Sequence, residues 1–176
     1  NWDRFTYDGG TWQRPGPSEV TISTIWNGPE PLHLDAAPVI ASRTACDLNP
    51  IDVSDEAAFL RLKSYTWPDQ AGRLARLDAA AELARQMGVH VEQANAVDWL
   101  GTRLANRPSE GLTVIYHSVF LIYPPKDDIE RIMRLIAEAG AAATDTAPLA
   151  WLCFEPESLF GGDRTSPRMQ TRLQVW

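Results

Sequence analysis

The feature that most narrows the choice of fold is a change of texture at Val39, after which β-type runs and helical stripes alternate almost to the end of the chain. Val39 to Cys46 reads as a strand ending at Asp47-Leu48-Asn49-Pro50. Ser54 is placed to cap a helix that begins at Asp55-Glu56, with Phe59, Leu60 and Leu62 as its apolar contribution. The acidic first turn suits the positive end of the helix dipole. Pro68-Asp69 leads into a longer helix, where Leu74, Leu77, Ala81, Ala84 and Met87 recur every three or four residues before Gly88 stops the run. Val89 to Gln93 reads as a strand, followed by Asn95-Ala96 and a short helix around Asp98-Trp99-Leu100. Leu112 to Tyr116 is nearly continuous apolar sequence, as expected of a parallel strand covered on both faces. Pro124-Pro125 opens another helix, striped by Ile129, Ile132, Met133, Ile136 and Ala139 and ending at Gly140. Leu149 to Phe154 is the next buried strand. Strands separated by helices at this spacing imply right-handed crossovers and a parallel sheet. The expected class is α/β: a Rossmann-like, mostly parallel sheet flanked by helices.

Antiparallel β structure is expected at both ends. Trp2 to Tyr7 and Thr11 to Gln13 alternate bulky and polar residues around Asp8-Gly9-Gly10, a turn signal suited to a hairpin. Glu19 to Trp26 is rich in β-branched residues, and residues 27–38 should be irregular. The tail from Arg168 to Trp176 alternates like an edge strand. With 176 residues the chain suffices for one domain, comprising a β extension over 1–37 and a Rossmann-like core over 38–176.

The formal charge of −7, without a basic cluster, argues against a general nucleic-acid surface. No apolar run approaches the roughly 20 residues that span a bilayer, and no basic-apolar signal opens the chain, so a membrane partner is not expected and a cytoplasmic setting is. Cys46 and Cys153 lie in apolar stretches and are expected to be free thiols. No His, Cys and carboxylate cluster suggests a metal site, and no glycine-flanked serine suggests a hydrolase nucleophile.

In open α/β sheets ligands bind beyond the carboxyl ends of the strands. Three such ends carry polar groups. Asp47 could accept both hydroxyls of a ribose, or could simply bond its own backbone in a turn. Asn95 with Ala96 could meet an adenine edge, with Trp99 as a stacking surface, or Asn95 and Asp98 could cap the short helix while Trp99 fills core. His117, where the apolar run turns polar, could be a catalytic general base or a hydrogen-bonded structural residue. A glycine-rich turn between a first strand and a helix, usual in nucleotide-binding folds, is missing.

The segments Trp2-Asp-Arg-Phe-Thr-Tyr-Asp-Gly-Gly, Asp47-Leu-Asn-Pro-Ile-Asp-Val, Trp67-Pro-Asp-Gln, Ala96-Val-Asp-Trp-Leu, Tyr116-His-Ser-Val-Phe and Leu149-Ala-Trp-Leu, in that order, resemble the bacterial family called domain of unknown function 2332. That resemblance implies a fold like that of S-adenosylmethionine-dependent methyltransferases, in a family without an established activity. It implies that the chain is the carboxyl-terminal portion of a longer protein, with the first strand and the glycine-rich methionine-binding loop lying upstream. It gives Asp47 the ribose, puts Asn95 where an aspartate usually stands near adenine, and sets His117 at the end of the fourth strand toward the substrate side. A chain lacking its first strand exposes an apolar strand edge, so a homo-oligomer and little activity are expected of these residues alone. The alternative function is a non-catalytic nucleotide-binding or protein-interaction module that kept the fold.

Overall fold

The structure is a computed structural model and describes residues 2–163 and 165–176. It is a mixed α/β molecule with four helices and three small sheets among those residues. The chain divides into two compact units, Asn1–Gln93 and Ala94–Trp176. No helix among the described residues is long and apolar enough to cross a membrane.

The first unit opens with a short 3-10 turn at Trp2–Arg4, where a strand was expected, and then β1 (Thr6–Asp8) and β2 (Gln13–Arg14) form the expected antiparallel hairpin. Its turn depends on glycine twice. Gly10 has φ +83°, and a Cβ at Gly9 would run into the Trp12 indole. The next strand, β3 (Thr21–Ser23), runs parallel to β1, with Val20 buried beside it.

The expected long strand from Val39 is realised only as β4 (Ala45–Asp47). Val39 is 96% exposed, so its side chain finds no core to reward extension. Helix α1 (Glu56–Ser64) is capped by Asp55, not Ser54: the Asp55 carboxylate accepts from the Ala58 amide at 2.7 Å. Ser54 instead gives its own amide to Asp52 at 2.8 Å. Helix α2 (Ala71–Gln86) ends as expected, with Gly88 at φ +59°. Strand β5 (Val91–Gln93) then pairs with β4 in parallel, with Asp47 beside Gln93.

The second unit begins with α3 (Ala96–Ala105), followed by β6 (Thr113–Ser118), α4 (Lys126–Ala141) and β7 (Leu149–Pro156). Strands β6 and β7 pair in parallel from Thr113↔Leu149 to Ser118↔Phe154. The chain closes with β8 (Met169–Val175), antiparallel to β7 as expected for the tail. Sheet alternation sends Trp151 and Cys153 to one face, where they join Val97 and Leu100 of α3 and Ile132 and Ile136 of α4 in the core. The opposite face presents Val114, Tyr116, Phe154, Leu173 and Val175, all exposed.

Two expectations are corrected here. The parallel strands pair in separate sheets, β4–β5 and β6–β7–β8, where a single mostly parallel sheet was expected. Gly140 does not terminate α4, which runs on to Ala141; it is needed because the Trp176 indole lies where its Cβ would be.

Candidate functional site

Asp47 lies at the carboxyl end of β4 and is exposed. Its Oδ1 accepts the Asn49 amide at 2.7 Å, which is the local turn that Asp-X-Asn sequences favour. Oδ2 has no partner among the described residues and remains available to a donor such as a hydroxyl. The following Leu48 carbonyl is held by the Gln93 side chain at 3.1 Å, so the turn is fastened to the neighbouring strand.

Asn95 caps α3: its Oδ1 accepts the Val97 amide at 2.8 Å, and its carbonyl accepts the Trp99 amide at 3.0 Å. Ala96 is the first residue of the helix and leans against the core of its unit. Trp99 does so as well, with Arg103 over its ring at 5.5 Å, so its indole is packing material and not an open stacking surface. Asp98 lines a shallow groove of about 580 Å³ between α3 and α4, alongside Arg131, Arg134 and Glu138.

His117 stands near the carboxyl end of β6 with little of its side chain exposed. Its Nε2 accepts the Trp151 indole N–H at 2.9 Å, and its Nδ1 meets Glu155 Oε1 at 2.8 Å. An indole can only donate, so Nε2 must carry the lone pair and the ring proton of the neutral imidazole sits on Nδ1. Both nitrogens are therefore engaged inside the protein. The ring also makes edge contacts with Phe120 at 5.7 Å.

Glu155 was not singled out from the sequence, and it is fully buried. The same Oε1 that takes His117 also accepts the amides of Phe120 at 2.8 Å and Leu121 at 3.3 Å. Its Oε2 has no partner among the described residues. The amides reach inward because the chain reverses at Val119, whose φ is +50°, a conformation that a β-branched residue adopts only under compulsion. The Val119 amide is tied to the Phe154 carbonyl at 2.9 Å. Beyond the reversal, Ile122 and Tyr123 are exposed, Tyr123 to 76%. A signal for Glu155 does exist in the sequence: it follows Leu149, Trp151 and Cys153 at intervals of two, in phase with the buried face.

Cys153, the β-sheet neighbour of His117, is a free buried thiol. Burial pushes its pKa up and the nearby Glu155 charge adds to this, while Arg172 opposes it in part. A thiol in that state is a poor nucleophile. Cys46 is also free, and its pKa is raised by burial and by Asp47 and Glu92. His33 and His90 are exposed, and no group of three metal-ligating side chains occurs among the described residues.

The family described as "Uncharacterized protein conserved in bacteria (DUF2332)" matches residues 1–176. No curated protein and no solved structure matches.

Proposed function

The chain belongs to this bacterial family, and we propose that it is part of a methyltransferase-like domain that, in the full-length protein, holds S-adenosylmethionine. The observation that carries the reading is Asp47: an exposed carboxylate at the carboxyl end of a parallel strand, with one oxygen fixing its turn and the other open. That is the placement from which an acid takes ribose hydroxyls in open α/β folds. In the second unit, Asn95 and the Ala96 amide are by themselves suited to an adenine edge. Asn95 spends one acceptor position on the α3 cap and keeps its amide group for a ring nitrogen.

S-adenosylmethionine would bring a sulfonium methyl group, a strong electrophile. Transfer from it depends mainly on alignment, so it does not require a catalytic residue free to exchange protons. A histidine with both nitrogens engaged agrees with that demand.

Calorimetry with S-adenosylmethionine and S-adenosylhomocysteine, on the natural full-length protein containing these residues, tests the proposal. Binding is expected, and Asp47→Ala should weaken it by about tenfold to a hundredfold, the size of one hydrogen bond to a charged group. No binding of either adenosine ligand would sink the reading.

The second reading, a non-catalytic interaction module, is favoured by a different observation. The sheet face made by Val114, Tyr116, Phe154, Leu173 and Val175 is apolar and exposed, and parallel strands normally have both faces covered.

A further inference from the structure

We propose that Glu155 is a positioning residue: its buried Oε1, together with His117 and Trp151, locks residues 118–123 into the one conformation that presents the rim at the end of β6. It rests on the reading above only in taking that rim as the ligand-facing edge of its own unit. The lock itself stands on geometry alone.

The donors converge from three directions. Along the chain of side chains, Trp151 donates to His117 Nε2 and His117 Nδ1–H donates to Glu155. From the loop, the Phe120 and Leu121 amides donate to the same oxygen. Removing that acceptor would leave buried N–H groups with nothing to bond, the expensive side of hydrogen-bond energetics. It would also remove what holds Val119 in the left-handed region, since a valine gains nothing locally from a φ of +50°.

The network has a direction. Trp151 can only donate, which forces the His117 tautomer; that tautomer can only donate from Nδ1, so residue 155 must accept. An acceptor at this position is thus specified by the indole four residues back along β7 on the same face. Glu155 Oε2 plays no part, having no partner among the described residues. This separates locking from charge: a glutamine would keep the acceptor oxygen and place its NH2 where no acceptor waits.

The test needs no ligand, so its failure is distinguishable from a failure of the S-adenosylmethionine reading. Nitrogen-15 spectra of the unmodified protein should find neutral His117 protonated on Nδ1, with the Trp151 indole proton shifted by its bond to Nε2. In Glu155→Ala, exchange of the Phe120 and Leu121 amides should accelerate about tenfold or more relative to amides in the middle of α4. In Glu155→Gln, those two amides should stay protected to within about threefold even though global stability falls. A wild-type His117 protonated on Nε2 overturns the proposal, and this measurement stands even where Glu155→Ala fails to fold. So does a Glu155→Gln protein whose two amides exchange as fast as those of the alanine variant. A Glu155→Ala protein that keeps both amides protected would overturn it equally.

Discussion

Replacing Gly140 by alanine should destabilise the protein, although the same change in an ordinary helix stabilises it. Alanine in place of glycine in a helix interior gains about 1 kcal/mol, and somewhat less in a last turn that can fray. Gly140 is buried one residue before the end of α4, and a Cβ there would overlap the Trp176 indole. The indole cannot retreat with its backbone, because the Trp176 amide and carbonyl both pair with Leu149, at 2.9 and 3.1 Å. Either the ring rotates out and gives up its contact with the core, or α4 shifts away from β7. Forced insertion of this kind costs about 1–3 kcal/mol. After subtraction of the helical gain, Gly140→Ala should cost about 1 kcal/mol. In a Trp176→Ala background the obstacle is gone and the same substitution should stabilise, by up to about 1 kcal/mol. The two backgrounds thus differ in sign, a coupling of about 2 kcal/mol. Urea denaturation followed by far-ultraviolet circular dichroism reads all four proteins without depending on tryptophan emission. A stabilising Gly140→Ala in the native background, or equal effects in both, would mean that the indole does not rest on this glycine.

The helix α1 cap supplies a second sign test: Asp55→Ala should cost about 1 kcal/mol and Ser54→Ala close to nothing, measured by the same denaturation. The thiols supply a third. Cys153 is held protonated by burial first and Glu155 second, and in the unfolded chain it regains its ordinary value. A raised native pKa gives stability that is complete below the unfolded value, about 8.5, and is lost as pH rises through the native one. Stability should therefore fall above about pH 8.5 more steeply than in Cys153→Ala, and native iodoacetamide labelling at Cys153 should be slower than in urea. Equal pH profiles for the two proteins would contradict the burial argument.

Much of the secondary structure could be read from residue types because the relevant forces are local. Gly88 announces a helix end, Asp8-Gly9-Gly10 a hairpin turn, and the Ile129, Ile132, Met133 and Ile136 stripe a buried helix face. All but one of the misreadings, the local choice between Ser54 and Asp55, share a cause: the deciding partner is remote in sequence. Gly140 looks like a terminator until Trp176 is seen lying on it. Val39 to Thr44 has strand composition but pairs with no strand among the described residues, and composition alone cannot supply one. Ser54 and Asp55 are both good caps, and the selection rests on which side chain reaches the amide three residues on. Sheet membership is the most remote property of all, which is why parallel pairing was legible for β4–β5 and β6–β7 while the separation of the two sheets was not.

The candidate site follows the same logic, with one difference. Each polar residue chosen at a strand end also supports the fold, since Asp47 closes a turn, Asn95 caps a helix, and His117 bridges Trp151 and Glu155. Such a structural role excludes a ligand only when it exhausts the bonding capacity of the group. Asp47 keeps Oδ2 and Asn95 keeps its NH2, whereas the neutral His117 ring has one donor and one acceptor and spends both. Bonding capacity therefore sorts the three residues into two kinds. Asp47 and Asn95, each within its own unit, keep capacity for a further partner, while His117 spends its own on holding the loop at the end of β6. That division predicts how variants should differ: His117→Phe would perturb the protection of Phe120 and Leu121, and Asp47→Ala would leave it untouched while, on the proposed reading, weakening adenosine binding. Loop protection lost in Asp47→Ala, or kept in His117→Phe, would mean that counting donors and acceptors is the wrong way to separate the roles.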